Sequence, residues 1–197
     1  MTHHDVTVVI LAGGQGRRMG GRDKGLLMCA DKPIIEHILA AIHPQCQRII
    51  INANRHIDDY LAYGYPVIND DLNDFQGPLA GIAVGLAHTD TPLMMTLPCD
   101  APMLPNNLVQ RLKQVMQQHK ADISVVHDGE RMQPMYALMQ THLASHLQDF
   151  LNSGERQVKQ WYAQHHLQTV DCSDVASYFQ NINTPAQQQA LNHVINL

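Results

Sequence analysis

The sequence predicts an α/β protein, a single three-layer α/β/α domain built on a mostly parallel twisted sheet. Three observations point there. Short β-branched or apolar runs recur along the 197 residues. Segments of helical period lie between most of them. Several runs are apolar at successive positions, as in strands buried on both faces, rather than alternating. The length suits one domain, and no repeat, linker or change of composition suggests a boundary.

The elements follow in order. Residues 7–11 form the first strand, ending at glycines. Asp31 and Pro33 offer a cap and a first-turn proline to a helix over 34–42. Strands follow at 48–52 and 66–68. Gly77 and Pro78 open an apolar helix to about Ala87, whose small residues permit close packing. A strand at 93–97 stops at Pro98. Pro105 starts a helix with Leu108, Val109, Leu112, Val115 and Met116 on one face. Strands at 123–126 and 135–138, helices at 141–151 and 158–164, a strand at 167–170 and a closing helix at 185–194 complete the pattern.

Composition narrows the function. Apolar residues make up 45% of the chain, enough for a core and incompatible with a disordered or collagen-like chain. The net charge of −5 disfavours a general nucleic-acid binder. No apolar run approaches the roughly 20 residues of a membrane span. The first apolar run follows a start without Lys or Arg and ends in glycines, unlike a signal peptide. A soluble, cytoplasmic enzyme is expected. Cys29, Cys46, Cys99 and Cys172 form no C-x-x-C pair and read as free, buried thiols of a reducing compartment. The thirteen histidines show no H-E-x-x-H motif and read as solvated or capping side chains.

The chemistry concentrates in one loop. In open α/β sheets the ligand lies beyond the carboxyl ends of the strands. The first such end reads Leu11-Ala-Gly-Gly-Gln-Gly-Arg-Arg-Met-Gly-Gly-Arg-Asp-Lys24. Its five glycines permit tight turns and close backbone approach. Arg17, Arg18, Arg22 and Lys24 make a local cationic pocket on an acidic chain, suited to a polyphosphate. A Walker A loop needs Gly-Lys-Ser/Thr, whereas Lys24 lies between Asp23 and Gly25. A dinucleotide fingerprint needs G-x-G-x-x-G, and the spacing from Gly16 to Gly20 is one position too long. Kinase-like and dehydrogenase readings lose ground.

This loop resembles the signature L-A-G-G-x-x-x-R-M-G-G-x-D-K of nucleotidyltransferases with a Rossmann-like, GT-A-like fold. Its Met-Gly-Gly-x-Asp-Lys ending is similar to that of the molybdenum cofactor guanylyltransferases. The resemblance continues through Asn52-Ala-Asn-Arg-His56, Asp70, Gly77-Pro-Leu-Ala-Gly81, Pro98-Cys-Asp-Ala-Pro102, His127-Asp-Gly-Glu-Arg131 with Pro134, Gly154-Glu-Arg156 and Asn181-Ile-Asn-Thr-Pro185. Ala186 departs from the acidic residue common after Asn-Thr-Pro.

The resemblance implies transfer of GMP from GTP to the terminal phosphate of molybdopterin, magnesium-dependent, with release of pyrophosphate. It implies Asp100 as the magnesium ligand, between Pro98 and Pro102, a role that fits a hard cation held by few carboxylates plus substrate phosphates. Lys24 and Arg18 would hold phosphates, one as a point charge and the other as a planar fork. Leu11, Ala12, Gly13 and Gly14 would meet the nucleotide, the first three through backbone contacts to guanine. Asn52 reads as a ribose or base contact or as a strand-end turn residue. Asp70, with Asp71 beside it, is the carboxylate aligned to the ribose. Gly81, Asn181 and Asn183 match the molybdopterin side. The N-terminal half would then bind mainly GTP and the C-terminal half mainly molybdopterin, with handover by direct contact to molybdenum-insertion proteins or target molybdoenzymes. The competing readings are a same-fold enzyme using CTP with molybdopterin or a sugar or polyol phosphate, and a non-catalytic nucleotide sensor or pterin carrier.

Overall fold

The computed structural model describes residues 3–14, 20–70 and 77–182, with Thr184, Ala186, Gln187 and Gln189 beyond them. Seven strands form the central sheet: β1 (Val6–Leu11), β4 (Ile49–Asn52), β5 (Val67–Ile68), β6 (Leu93–Pro98), β7 (Ile123–His127), β8 (Met132–Gln140) and β9 (Leu167–Asp171). Their order is β5-β4-β1-β6-β8-β7-β9. All run parallel except β8, which lies antiparallel between β6 and β7. The expected mostly parallel sheet is present. A strand's direction leaves no mark in its periodicity, so the reversal at β8 emerges only in the fold.

Successive side chains of a strand point to opposite faces, and both faces here are covered. Val8 and Ile10 of β1 enter one core with Ile34, Ile35, Ile38 and Ile42 of α1 (Ile34–Ile42) and Leu108 and Leu112 of α4 (Leu108–His119). Val9 enters the other core, with Leu79 and Ile82 of α3 (Pro78–Ala87), Leu147 of α5 (Ala144–Asn152) and Trp161 of α6 (Val158–Tyr162). An unbroken apolar strand is the signature of this double burial.

Three local features depart from expectation. Asp31 does not cap α1; Pro33 occupies that place, with no side-chain cap bond. Instead Ala30 and Asp31 both take positive φ, 47° and 66°, and turn a hairpin between β2 (Met28–Cys29) and β3 (Lys32–Pro33). Such two-residue turns usually carry glycine or asparagine, which is why this one is silent in the sequence. A short helix α2 (Ile57–Leu61) follows β4. The pairing of β7 with β8 shifts: Val125 faces Ala137, but the next residue, Val126, faces Gln133. Pro134, Met135 and Tyr136 are passed over, and this bulge bends β8 at the sheet's carboxyl edge. Of the expected closing helix, only Ala186, Gln187 and Gln189 fall within the described residues, and all three are helical.

Two polar devices tie neighbouring helices together within each layer. Gln45, 5% exposed, donates through Nε2 to the carbonyls of Ala41 and Pro105 at 3.0 and 2.9 Å. Its Oε1 accepts from the Val109 N–H at 3.1 Å, serving a first-turn donor of α4 that Asn107 leaves uncapped. On the opposite face Trp161 Nε1 donates to His146 Nδ1 at 3.1 Å, and His165 packs edge-on against both rings.

Replacing Gln45 by Met keeps the volume but leaves Pro105 O and Val109 N–H without this partner. It is expected to lower stability by about 2–4 kcal/mol in urea unfolding. The His165 imidazole is held below its ordinary value of 6.5, first by burial and then by His146 and His142, with Asp122 opposing. A depressed folded-state value means the unfolded chain binds the extra proton first. The stability His165 contributes is therefore present above pH 6.5 and lost as the pH falls toward the folded value. His165→Gln should flatten the decline of Tm between pH 7 and 5.

Candidate active site

The ladder places the site. Leu11 lies beside Asn52 on one flank and Pro98 on the other, and Asn52 lies beside Ile68. Four strands thus end in one row, and the segments leaving them start side by side. From β1 the chain passes to β4 and β5 on one side, then crosses to β6 on the other. The gap between β1 and β6 is the switch point where open α/β sheets bind ligands.

Backbone bonds fix the turn after β1. The Ala12 N–H donates to Asn52 O at 2.7 Å, and Cys99 N–H donates to Leu11 O at 3.3 Å. Gly13 is required by close approach, since a Cβ there would lie 2.9 Å from Asn54 Nδ2. Arg55 spans the glycine-rich loop, donating to Gly14 O at 3.2 Å and Gly21 O at 2.9 Å. Between those anchors, residues 15–19, with Arg17 and Arg18, lie outside the described residues.

Next to this turn stands an amide–carboxylate cluster. Asp70 accepts from Asn52 Nδ2 at 2.7 Å and from Asn54 Nδ2 at 2.9 Å, one bond to each oxygen. Asn54 Oδ1 in turn accepts from the Asp70 N–H at 2.8 Å. The charge is thus oriented by two amides before any ligand arrives. Asp71 lies outside the described residues. Gly81 of α3 supports the cluster from below: a Cβ there would come within 2.5 Å of Asn52 Oδ1 and 3.0 Å of Leu11 Cδ2. Gly81 is thus buried beneath Asn52.

The second half of the site centres on Asp100. Lys24 Nζ sits 2.8 Å from Asp100 Oδ2, with side chains 20% and 13% exposed. Asp100 Oδ1 is buried with no hydrogen-bond partner among the described residues. A buried anionic oxygen left open in this way fits a divalent cation, which needs few protein ligands when phosphates supply the rest. Asn181 is nearby, because Ile182 N–H donates to Asp100 O at 2.7 Å. Beyond it opens a cleft of about 280 Å³ lined by Pro98, Arg131, Gln133, Tyr136, Lys159 and Asn181, among others. Asp128 shapes its rim, accepting from the N–H groups of Glu130 and Arg131 and from Gln133 Nε2 at 2.5 Å. Asn183 lies outside the described residues.

Asp23, part of the same motif as Lys24, points inward. Its Oδ1 accepts from Tyr60 Oη at 2.6 Å and from the Gly25 N–H at 3.1 Å. A side chain at Gly25 would overlap the Tyr60 hydroxyl. Asp23 thus anchors the loop that aims Lys24. The four cysteines are free and buried, and burial raises every one of their thiols. Among the described residues no group of three or more His, Cys, Asp or Glu side chains is arranged to hold a metal ion.

The fold therefore brings Leu11, Ala12, Gly13, Gly14, Asn52 and Asp70 together on one side of the switch point, and Lys24, Asp100 and Asn181 on the other. Asn54, Arg55 and Tyr136 were not singled out by sequence reasoning. For Asn54 a signal existed: in an extended segment leaving β4, residues 52 and 54 share a side.

Comparison with known proteins agrees with this geometry. The model of the MobA-like NTP transferase domain matches residues 8–170. The chain is 43% identical over 190 residues to a molybdenum cofactor guanylyltransferase of Shewanella loihica, covering 96% of this chain and 97% of that one. The relative of that name from Shewanella woodyi gives the same identity and coverage. Among solved structures, the molybdopterin-guanine dinucleotide biosynthesis protein A of Archaeoglobus fulgidus superposes with a TM-score of 0.79 at 21% identity, covering 96% of this chain and 98% of that one. A CMP:2-keto-3-deoxy-manno-octonic acid synthetase complexed with CTP shares the fold at a TM-score of 0.72 and 15% identity, covering 97% and 98%. The chain belongs to the MobA-like NTP transferase family and, within it, to the molybdenum cofactor guanylyltransferases.

Proposed function

We propose that the protein transfers GMP from GTP to the terminal phosphate of molybdopterin, giving molybdopterin guanine dinucleotide and pyrophosphate. The observation that carries this reading is the Lys24–Asp100 pair at the switch point, with the second Asp100 oxygen buried and unpartnered. It stands between the turn after β1 and a cleft edged by two cations, Arg131 and Lys159. Two anionic substrates entering from the two sides would meet there.

Each half has its task in this reading. Leu11, Ala12 and Gly13 meet the base through backbone groups with Gly14 beside them, in a turn fixed by the bonds of Ala12 N–H and Leu11 O. Asn52 and Asp70 face the ribose, with Asn54 orienting Asp70. Lys24 leaves Asp100 for the triphosphate, and Arg18 joins it on the departing pyrophosphate. Gly81, Asn181 and Asn183, with Arg131 and Lys159, serve the pterin side, and Gly81 also leaves room for Asn52. The N-terminal half is thus mainly the GTP half and the C-terminal half mainly the pterin half of one domain.

The terminal phosphate of molybdopterin has a second pKa near ~6, so it is largely a dianion at pH 7 and requires no general base. Its oxygen attacks the α-phosphorus in line; a new P–O bond forms as the bond to the pyrophosphate breaks. The protein supplies alignment and neutralisation of charge. Magnesium, held by Asp100, supplies further neutralisation of the phosphate oxygens when bound. Among the described residues no helix is long and apolar enough to cross a membrane, and four free cysteines accord with a cytoplasmic setting. Release of a labile product by direct contact with molybdenum-insertion proteins or target molybdoenzymes belongs to the same reading.

Magnesium-dependent release of pyrophosphate from GTP in the presence of molybdopterin tests the reading, with CTP as competitor. Asp100→Ala and Lys24→Ala should each slow transfer by about 100-fold or more while circular dichroism stays unchanged. Wild-type turnover in either variant would remove that residue from the mechanism, and a preference for CTP would replace the nucleotide. Asn54→Ala takes two hydrogen bonds from Asp70. It should weaken GTP binding about tenfold in calorimetry, with the maximal rate largely retained.

A further inference from the structure

One short segment holds the glycine-rich loop at both of its ends. Where the chain leaves β1, Asn54 Nδ2 donates to Gly13 O at 3.4 Å, and Arg55 Nη2 donates to Gly14 O at 3.2 Å. Where the chain returns, the same guanidinium donates through Nη1 to Gly21 O at 2.9 Å, and Tyr60 Oη donates to Asp23 Oδ1 at 2.6 Å. Gly14 and Gly21 are seven positions apart. An extended stretch of that length would span about 23 Å. One planar group bridges it instead.

Arg55 is committed to this bridge. Asp58 and Asp59 follow it closely in sequence, yet none of the ion pairs among the described residues includes Arg55. The next residue, His56, takes φ 53° and ψ 37° at the start of α2. That left-handed conformation is unfavourable for any residue with a Cβ. On the loop's side Gly20 and Gly21 take φ 67° and 79°, which glycine adopts freely, and their turn brings Gly21 O to the guanidinium. The backbone is bent on both sides of the contact.

We propose that Arg55 is a positioning residue for the nucleotide. It clasps the loop after β1 at Gly14 and Gly21, so that Gly13 and Gly14 at one end and Lys24 at the other are already spaced for a nucleoside triphosphate. Without the clasp the loop's ordering would fall to the binding step and weaken it. A lysine cannot take the place, because the rigid fork reaches two acceptors at once and an ammonium is a point charge on a flexible stem. The inference rests on the reading of this turn and Lys24 as the GTP half of the site.

The experiment compares wild type with Arg55→Lys, which keeps the charge and loses the fork, and with Arg55→Gln, which loses both. GTP is titrated calorimetrically with magnesium present, and KM for GTP and the maximal rate are taken from pyrophosphate release. Tm is recorded, and amide hydrogen exchange over residues 20–25 is followed in the free protein. Both variants should bind GTP about tenfold more weakly, with a matching rise in KM and a largely retained maximal rate and Tm. Exchange over residues 20–25 should quicken in both. Wild-type affinity in Arg55→Lys would mean that charge alone matters, and it overturns the clasp. Unchanged affinity or unchanged exchange in both variants overturns it too, as does a loss that merely follows a falling Tm. Should the wild type bind no GTP, the nucleotide reading falls, while exchange still decides whether Arg55 holds the loop.

Discussion

Everything in this site depends on the parallel ladder at β1. Because Leu11 is in register with both Asn52 and Pro98, three strands release their chains at one level. The distance between Lys24 and Asp100, seventy-six positions apart in sequence, is set by that register. A slip of one residue would reverse every side chain of β1 and send Val8 and Ile10 into the core that Val9 now fills. Burial on both faces excludes the slip, so the packing of two hydrophobic cores holds the geometry of the polar edge.

The two sides of the site differ in how far their polar groups are satisfied. Around Asp70 the bonds are complete: two amides serve the carboxylate and one returns to its backbone. Such a network is rigid and favours a ligand that fits without rearrangement. Around Asp100 the bonds are incomplete, with one oxygen paired to Lys24 and the other open. Leaving buried groups unpaired costs roughly 1–3 kcal/mol each. That cost is tolerable where an incoming ligand completes the network, which is the common condition of catalytic centres.

The Lys24–Asp100 pair also governs charge. Both side chains are partly buried, where an isolated carboxylate or ammonium is poorly solvated, so each makes the other's burial acceptable. The pair gives little stability by itself, but it keeps the two groups side by side. A triphosphate with its cation offers each a replacement of the same sign. The exchange of one pairing for two is therefore balanced, and the residues begin close to where they act.

By itself the sequence determined the layers and the edge that binds. Unbroken β-branched runs such as residues 7–11 can only be strands covered on both sides, and glycines after the first strand mark its carboxyl end. The cationic loop and the order of Asn52, Asp70, Asp100 and Asn181 were legible for the same reason: spacing along the chain is local information. The tertiary structure decided what depends on partners distant in sequence. The β2–β3 hairpin turns on Ala30 and Asp31, neither of which advertises a positive φ. Asp23 reads like a phosphate-loop residue until Tyr60 and Gly25 are seen to turn it inward. Gly81 serves Asn52 because a helix from the second quarter of the chain packs under β4. Tyr136 is an ordinary core aromatic in sequence. Only the reversal of β8 and its bulge bring it to the cleft it shares with Pro98 and Asn181, since strand direction and register are set by packing over the whole sheet and leave no signature in the residues of one strand.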